Sequence, residues 1–198
     1  MKKTKDEQQA REKLMEVTTQ LIRERGNIEE VTIRDIAAQA GVGVGLVNYH
    51  FQTKENLVNL CIQRIIGQII GQFDPLYRSL SGSPMDKLRL LIKENVAFLV
   101  NQPGLSRASI TSNLLAGSAH DNTMQTMEAY RPVLREVCGE KATEKEINIL
   151  LHVLISSMQA MFLRRETVKE TMGIDITDKA ERDELADTVL DHLFNKYM

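Results

Sequence analysis

From Gln8 to Arg25 the apolar residues Leu14, Val17, Leu21 and Ile22 fall at i, i+3, i+7 and i+8. That spacing is one stripe of an amphipathic helix, with Gly26 placed to end it. Thr32-Ile33-Arg34-Asp35 has capping-box spacing, a hydroxyl able to accept from a backbone N–H three residues on and an acid near the positive helix end. A second helix is therefore expected from Thr32 through Ile36, Ala37 and Ala40 to Gly41, which can take the left-handed conformation of a tight turn. A short third helix, Gly43 to Tyr49, follows at once. Thr53-Lys54-Glu55 opens a longer fourth helix carrying Leu57, Leu60, Cys61, Ile65, Ile69 and Ile70, and fraying near Asp74-Pro75.

The helical pattern then continues to the end of the chain. Ser83, Pro84 and Asp86 open a helix that runs to Val100 and is stopped by Gln102-Pro103-Gly104. Leu105 to Ala119 follows, then Asn122 to Cys138, capped by Asp121 and closed by Gly139. The box Thr143-x-x-Glu146 starts a long helix to Thr171, with Gly173 after it, and Asp178-x-x-Glu181 starts the last, which runs to Tyr197. The expectation is an all-α protein of about nine helices with no strand. Helix four joins a compact N-terminal unit of short helices, residues 1–55, to a C-terminal helical bundle, residues 56–198.

Composition agrees with this pattern. The 198 residues include only 4 Pro, no Trp and 5% aromatics, a bias toward helix formers over strand formers. Cys61 and Cys138 are too far apart for a CxxC pair or a zinc ribbon, which points to a reducing compartment. The start, Met1-Lys2-Lys3-Thr4-Lys5, runs into acids and not into an apolar segment, so no secretory signal is read and the cytoplasm is expected. Ile147 to Leu163 is an uncharged run of 17 residues. It falls short of the roughly 20 a bilayer needs and is broken by Asn148, His152, Ser156, Ser157 and Gln159, so burial in the core or between subunits is expected. The net charge of −2 gives no global pull toward nucleic acid, and residues 1–60 hold nine Lys and Arg against nine Asp and Glu. Any such partner must be met by a local patch.

The densest signal is Thr32 to Leu57. Around Gly41, Ile36, Ala37, Ala40, Val42 and Val47 have the spacing of two short helices crossing at a glycine turn, a helix-turn-helix; an αα-hairpin in an ordinary core is the alternative. Ala37 must be small where the second helix of the pair crosses, while Ile36, Val42 and Val47 plug the space behind it. The run Gly41-Val42-Gly43-Val44-Gly45 lacks the GxGxxG spacing and follows a helix, so it is no dinucleotide loop.

The continuation Val47-Asn48-Tyr49-His50-Phe51-Gln52-Thr53-Lys54-Glu55-Asn56-Leu57, with Thr32-Ile33-Arg34-Asp35-Ile36-Ala37 and Ala40-Gly41-Val42 before it, resembles the signature of the TetR family of bacterial regulators. The resemblance implies a homodimer whose N-terminal heads place their third helices in successive major grooves. Its C-terminal bundles would dimerise and bind a small-molecule inducer. Carried over position by position, Thr32 would cap helix two and meet phosphate, Tyr49 would reach the DNA backbone, and Lys54 would place an ammonium on a phosphate. Phe51 reads as a core plug, and His50 as either a phosphate contact or a neutral side chain packed in the corner.

Three positions depart from the family pattern. Gly43 stands where a Ser or Thr cap is frequent, Val44 where Lys is, and Asn48 where an aromatic is. Gly43 and Gly45 would allow close approach of backbone to DNA. Val44 and Leu46 are candidates for thymine methyls and Asn48 for adenine or a phosphate, unless one aliphatic packs inward. Arg34 and the run Lys2, Lys3 and Lys5, read as a flexible basic arm or a merely solvated terminus, are further candidates for phosphate.

The rest of the chain carries no GxSxG, HExxH, Walker or EF-hand motif, and His50, His120, His152 and His192 show no metal-ligand spacing, so neither an enzyme, a cofactor nor a metal is expected. Asn95 and Phe98, Met124, Met127 and Tyr130, and Met158, Met161 and Phe162 could face one space. They would form either a plain core or an adaptable apolar ligand site. Ser156, Ser157 and Ala160 on the long helix and Leu185, Val189, His192 and Leu193 on the last are the candidate dimer interface. The function expected is a homodimeric repressor that leaves a pseudo-palindromic operator when a small apolar or amphipathic inducer binds. The alternatives are a non-transcriptional DNA-bound adaptor recruiting a protein partner and a bundle whose head no longer binds DNA.

Overall fold

The computed structural model describes residues 2–25, 28–118 and 121–197. The expected helix ends at Gly26 and Ala119, and His120, lie outside the described residues. Eleven α-helices follow one another: α1 Lys2–Arg25, α2 Ile33–Ala40, α3 Val44–Phe51, α4 Lys54–Ile70, α5 Phe73–Ser79, α6 Pro84–Asn101, α7 Pro103–Ala116, α8 Asn122–Cys138, α9 Glu144–Leu163, α10 Arg165–Met172 and α11 Lys179–Phe194. Single 3₁₀ turns cover 28–30, 139–141 and 195–197, and there is no strand among the described residues.

The chain forms two compact units, Met1–Gln68 with Pro103–Gly117, and Ile69–Gln102 with Ser118–Met198. In the first, α1 buries Leu14, Leu21 and Ile22 of the expected stripe together with Met15 and Thr18, while Val17 is only half-buried. Ile36, Ala37 and Ala40 of α2, Val47 and Phe51 of α3, and Leu57, Val58, Cys61, Ile62 and Ile65 of α4 complete this apolar interior. The buried hydroxyl of Thr18 donates to Leu14 O at 2.7 Å, satisfying itself within its own helix. α7 lies against the 28–30 turn and buries Leu105 and Ile110.

The second unit has its own core, built from Leu88, Leu91, Ile92 and Val96 of α6, Met127, Tyr130, Val133 and Leu134 of α8, Leu151, Leu154, Ile155 and Met158 of α9, and Leu190 and Phe194 of α11. Four of its helices, α6, α8, α9 and α11, start at hydroxyls or carboxylates that accept the free N–H groups of the first turn: Ser83 with Asp86, Asp121, Thr143 with Glu146, and Asp178. Arg89 pairs with Asp187 and Asp191, and Lys93 reaches Asp187 at 2.7 Å, so α6 and α11 are also joined along their rims. α9 is the one helix among the described residues long and apolar enough to cross a membrane, and its Leu151, Leu154, Ile155 and Met158 sit in this core.

Four expectations are corrected. The helix expected from Thr143 to Thr171 is two: the chain bends at Arg164, φ −108° and ψ 25°, and α10 then turns Val168 inward, with the Arg165 guanidinium 5.9 Å from the Phe162 ring centre. Asp74-Pro75 does not fray α4 but lies in the first turn of α5, where a proline's missing N–H breaks no helical bond. Pro103 likewise opens α7, with Gln102 capping the end of α6 before it. The run of Lys2, Lys3 and Lys5, read as a flexible arm, belongs to the first turns of α1.

Candidate nucleic-acid interface

The α2–turn–α3 unit is fixed at both ends by local chemistry. Thr32 Oγ1 accepts from Asp35 N at 3.2 Å and donates to Asp35 Oδ2 at 2.8 Å, while Thr32 N donates to the same oxygen at 3.1 Å. This is the expected box, but it engages the Thr32 hydroxyl as both donor and acceptor. Arg25 Nη1 adds a contact of 2.8 Å to Asp35 Oδ2 and one of 2.6 Å to Glu30 O. Bonds from Thr32 and then Arg25 hold the Asp35 carboxyl down at about 2. At the other end Gly41 takes φ 68° and ψ 34°, and Val42 N donates to Ala37 O at 2.9 Å, turning the chain over the small Ala37.

α3 starts at Gly43 in extended conformation with no side-chain cap. Its inward side is Val47 and Phe51, both buried, and Arg11 of α1 lies 5.3 Å from the Phe51 ring centre. Val44, Gly45, Asn48 and Tyr49 are exposed, and Leu46 is half-buried. Tyr49 is 68% exposed, so it has reach for an external partner. Between Val44 and Phe51 there is no Lys, Arg, Asp or Glu, so this face carries no formal charge.

Cationic and polar groups flank it. Arg34 is exposed beside the α2 start, and Lys54 is the first residue of α4, where Thr53 Oγ1 accepts from Asn56 N at 3.1 Å. His50 Nε2 is buried with no hydrogen-bond partner, and its ring meets that of Tyr49 edge-on at 5.1 Å. His50 lines an open groove of about 350 Å³ with Phe51, Gln52, Asn56, Asn59, Leu60 and Gln63. Gln52 ends α3 at φ 66°, an uncommon conformation for a residue with a side chain. The sequence reading missed the Arg25 clasp, the Arg11–Phe51 contact and this groove. Each joins residues at least ten apart or depends on how a turn closes, which periodicity does not report.

In the second unit Met127, Tyr130 and Met158 meet in the core, with Met124 packed on it. The Tyr130 hydroxyl donates to Leu91 O at 2.9 Å, and burial pushes its pKa far up. Phe162 is buried outside that cluster, and Asn95, Phe98 and Met161 are half-buried. Of the other candidate positions, Ser156, Ala160 and His192 are exposed, and Ser157 is half-buried, donating to Leu154 O at 2.9 Å. Val189 and Leu193 pack half-buried on the core, and Leu185 is buried within its own chain. On α9, Ile149 and Val153 are exposed beside Ser156 and Ala160.

Comparison with known proteins gives these features a family. The family model described as bacterial regulatory proteins, tetR family, matches residues 14–61, from α1 into α4. The HTH-type transcriptional repressor KstR2 of Mycolicibacterium smegmatis is 28% identical over 78 residues, 39% of this chain. That match spans 37% of the repressor's length, little more than a third. The HTH-type transcriptional dual regulator CecR of Shigella flexneri is 25% identical over 180 residues, covering 82% of this chain and 80% of that protein. A tetR-family transcriptional regulator from Streptomyces coelicolor has the same fold, with a TM-score of 0.65 at 18% identity over 96% of this chain and 82% of that one. The tetR model lies on the glycine turn and the exposed helix after it, so residues 14–61 form a helix-turn-helix head similar to that of the bacterial regulatory proteins of the tetR family.

Proposed function

We propose that this chain is a homodimeric repressor. Residues 1–55 would hold a pseudo-palindromic operator, and residues 56–198 would dimerise and take a small apolar or amphipathic inducer. The observation that carries the reading is the exposed, uncharged face of α3, Val44, Asn48 and Tyr49, held rigidly by the Thr32 box and the Gly41 turn. Such a face suits base edges, while phosphates fall to Arg34, Tyr49 and Lys54; the burial of His50 Nε2 favours the packed reading of that residue. Thr32 is occupied by its own cap, so Arg34 is the better phosphate candidate at the α2 start. A ligand site in the bundle would need Met127 and Met158, packed with Tyr130 in the core, to shift, which flexible thioethers can do. An inducer of this kind releases DNA only if it binds more tightly to the state that does not fit the operator.

Selection of random duplex DNA on the purified protein, with binding of the winners followed against salt, tests this. A homodimer of this kind should enrich an inverted repeat whose half-sites lie about 34–36 Å apart, with affinity falling steeply as salt rises. The recovered duplex then serves to screen apolar and amphipathic compounds for loss of binding. Weak salt-sensitive binding without enrichment would favour an adaptor, and no binding at all would remove DNA from the function.

A further inference from the structure

α5 is seven residues long and lies between two turns. α4 stops at Ile70, and Gln72, which precedes α5, gives it no side-chain cap. After Leu80 the chain passes through Gly82 at φ 109°, a backbone conformation that suits glycine, before the Ser83 box starts α6. A helix this short does not stand by itself in water, so contacts with its neighbours must keep it in place.

Phe73 and Tyr77 supply such contacts. The half-buried Phe73 ring lies 4.5 Å, centre to centre, from that of Tyr130 in the core. Tyr77 is the one buried side chain of α5 among the described residues, and it is held on two sides. Its hydroxyl donates to Glu136 Oε2 of α8, and Lys87 Nζ of α6 lies 4.9 Å from its ring centre. Burial, and then the bond to Glu136, push the Tyr77 hydroxyl up to about 12, so it remains a donor at neutral pH. The two anchors differ in kind. The Tyr130 hydroxyl is taken by Leu91 O, so Phe73 and Tyr130 meet ring to ring, and an apolar ligand can offer Tyr130 the same contact. Nothing apolar can replace the bond from Tyr77 to Glu136. We propose that this bond is a latch holding α5 shut over Tyr130, and that α5 is the lid by which an apolar ligand reaches the bundle core; this deepens, and rests on, the reading of the bundle as a ligand site.

Tyr77→Phe removes the donor and keeps the ring, while Glu136→Gln keeps an acceptor for it. Amide hydrogen exchange reads the latch without any ligand, at Leu76 and Leu80, whose N–H groups bond to Gln72 O and Tyr77 O. In Tyr77→Phe both should exchange about tenfold faster, the worth of one hydrogen bond to a charged group, and Glu136→Gln should fall between the two proteins. The amides of α8 and α9 should not change. The passage is read with an uncharged apolar dye, N-phenyl-1-naphthylamine, mixed with parent and Tyr77→Phe in stopped flow. Association should be faster in the variant by the same factor as the exchange. Unchanged exchange in α5, or equal acceleration in α5, α8 and α9, would overturn the latch. A loosened α5 with dye association no faster than in the parent would overturn the lid. Dye that binds neither protein would overturn the reading of the bundle as a ligand site, and the exchange result would still decide the latch.

Discussion

The Arg25 guanidinium at the end of α1 lies 2.8 Å from the Asp35 carboxylate in the first turn of α2, and the same nitrogen reaches Glu30 O at 2.6 Å. Asp35 in turn takes the amide and the hydroxyl of Thr32. Three segments separated in sequence are thereby pinned at the point where the helix pair leaves α1. Both side chains are about a third exposed, so water and salt weaken the attraction between them, and the value of the contact is the entry angle it gives α2.

Acid should loosen this clasp. The Asp35 carboxyl is held at about 2 against an ordinary value of 3.8. A carboxyl depressed in the folded state stabilises fully above its unfolded value and loses that contribution as pH falls toward the folded one. Urea unfolding of the parent and of Asp35→Asn should therefore differ most at pH 5 and converge as pH falls from 4 toward 2. A gap that stays constant across that window would show that the ionised carboxylate contributes nothing.

The two thiols should be silent in the folded protein. Cys61 is wholly buried, and loss of solvation pushes its pKa to about 11; its Sγ donates to Met15 O at 3.5 Å. Cys138 is buried in the second unit, with its pKa also raised by burial. Thiolate is the reactive form, so neither should react with a thiol reagent at pH 8 until urea unfolds the chain. Reaction of one equivalent under native conditions would show that one of the units opens readily.

What the sequence made legible, and what it did not, divides by the range of the interaction. The boxes at Thr32–Asp35, Ser83–Asp86 and Thr143–Glu146 are closed within three residues, and all three form. The exposure of Asn48 and Tyr49 beside buried Val47 and Phe51 follows from the 3.6-residue period alone. The bend at Arg164 has no Gly or Pro to announce it and arises from where Val168 and Arg165 find partners. The placement of Pro103–Gly117 with the first unit, and the reach of Arg25 to Asp35, are set by packing between segments that no local pattern reports.

Lys54 and Tyr49 should act on DNA without regard to sequence. Lys54 stands at the start of α4, where the helix dipole already favours an anion, and Tyr49 is the most exposed aromatic side chain of α3. Lys54→Ala should weaken binding to selected and scrambled duplexes alike and lower the slope of log affinity against log salt by about 1, one phosphate contact. Tyr49→Ala, which removes no charge, should weaken both duplexes and leave the slope alone. An unchanged slope for Lys54→Ala would take that residue off the phosphate contacts.

The proposed dimer should be broken most simply on the outward face of α9. Ile149 and Val153 are 53% and 45% exposed, and Ser156 and Ala160 continue the same face at the next two turns with side chains small enough for close approach. None of these is part of the core, so changing them should not disturb the fold of the unit. A two-fold interface repeats each residue on both sides, so an acid placed near the axis meets its own copy and the repulsion is doubled by symmetry. Ile149→Glu with Val153→Glu should therefore give a folded monomer by sedimentation equilibrium, with helical content and thermal midpoint close to those of the parent at low concentration. The same variant should bind an isolated half-site as the parent does and lose the gain that a full inverted repeat gives a dimer. A dimer that persists undiminished would move the interface off α9, toward the exposed side of α11 that carries His192.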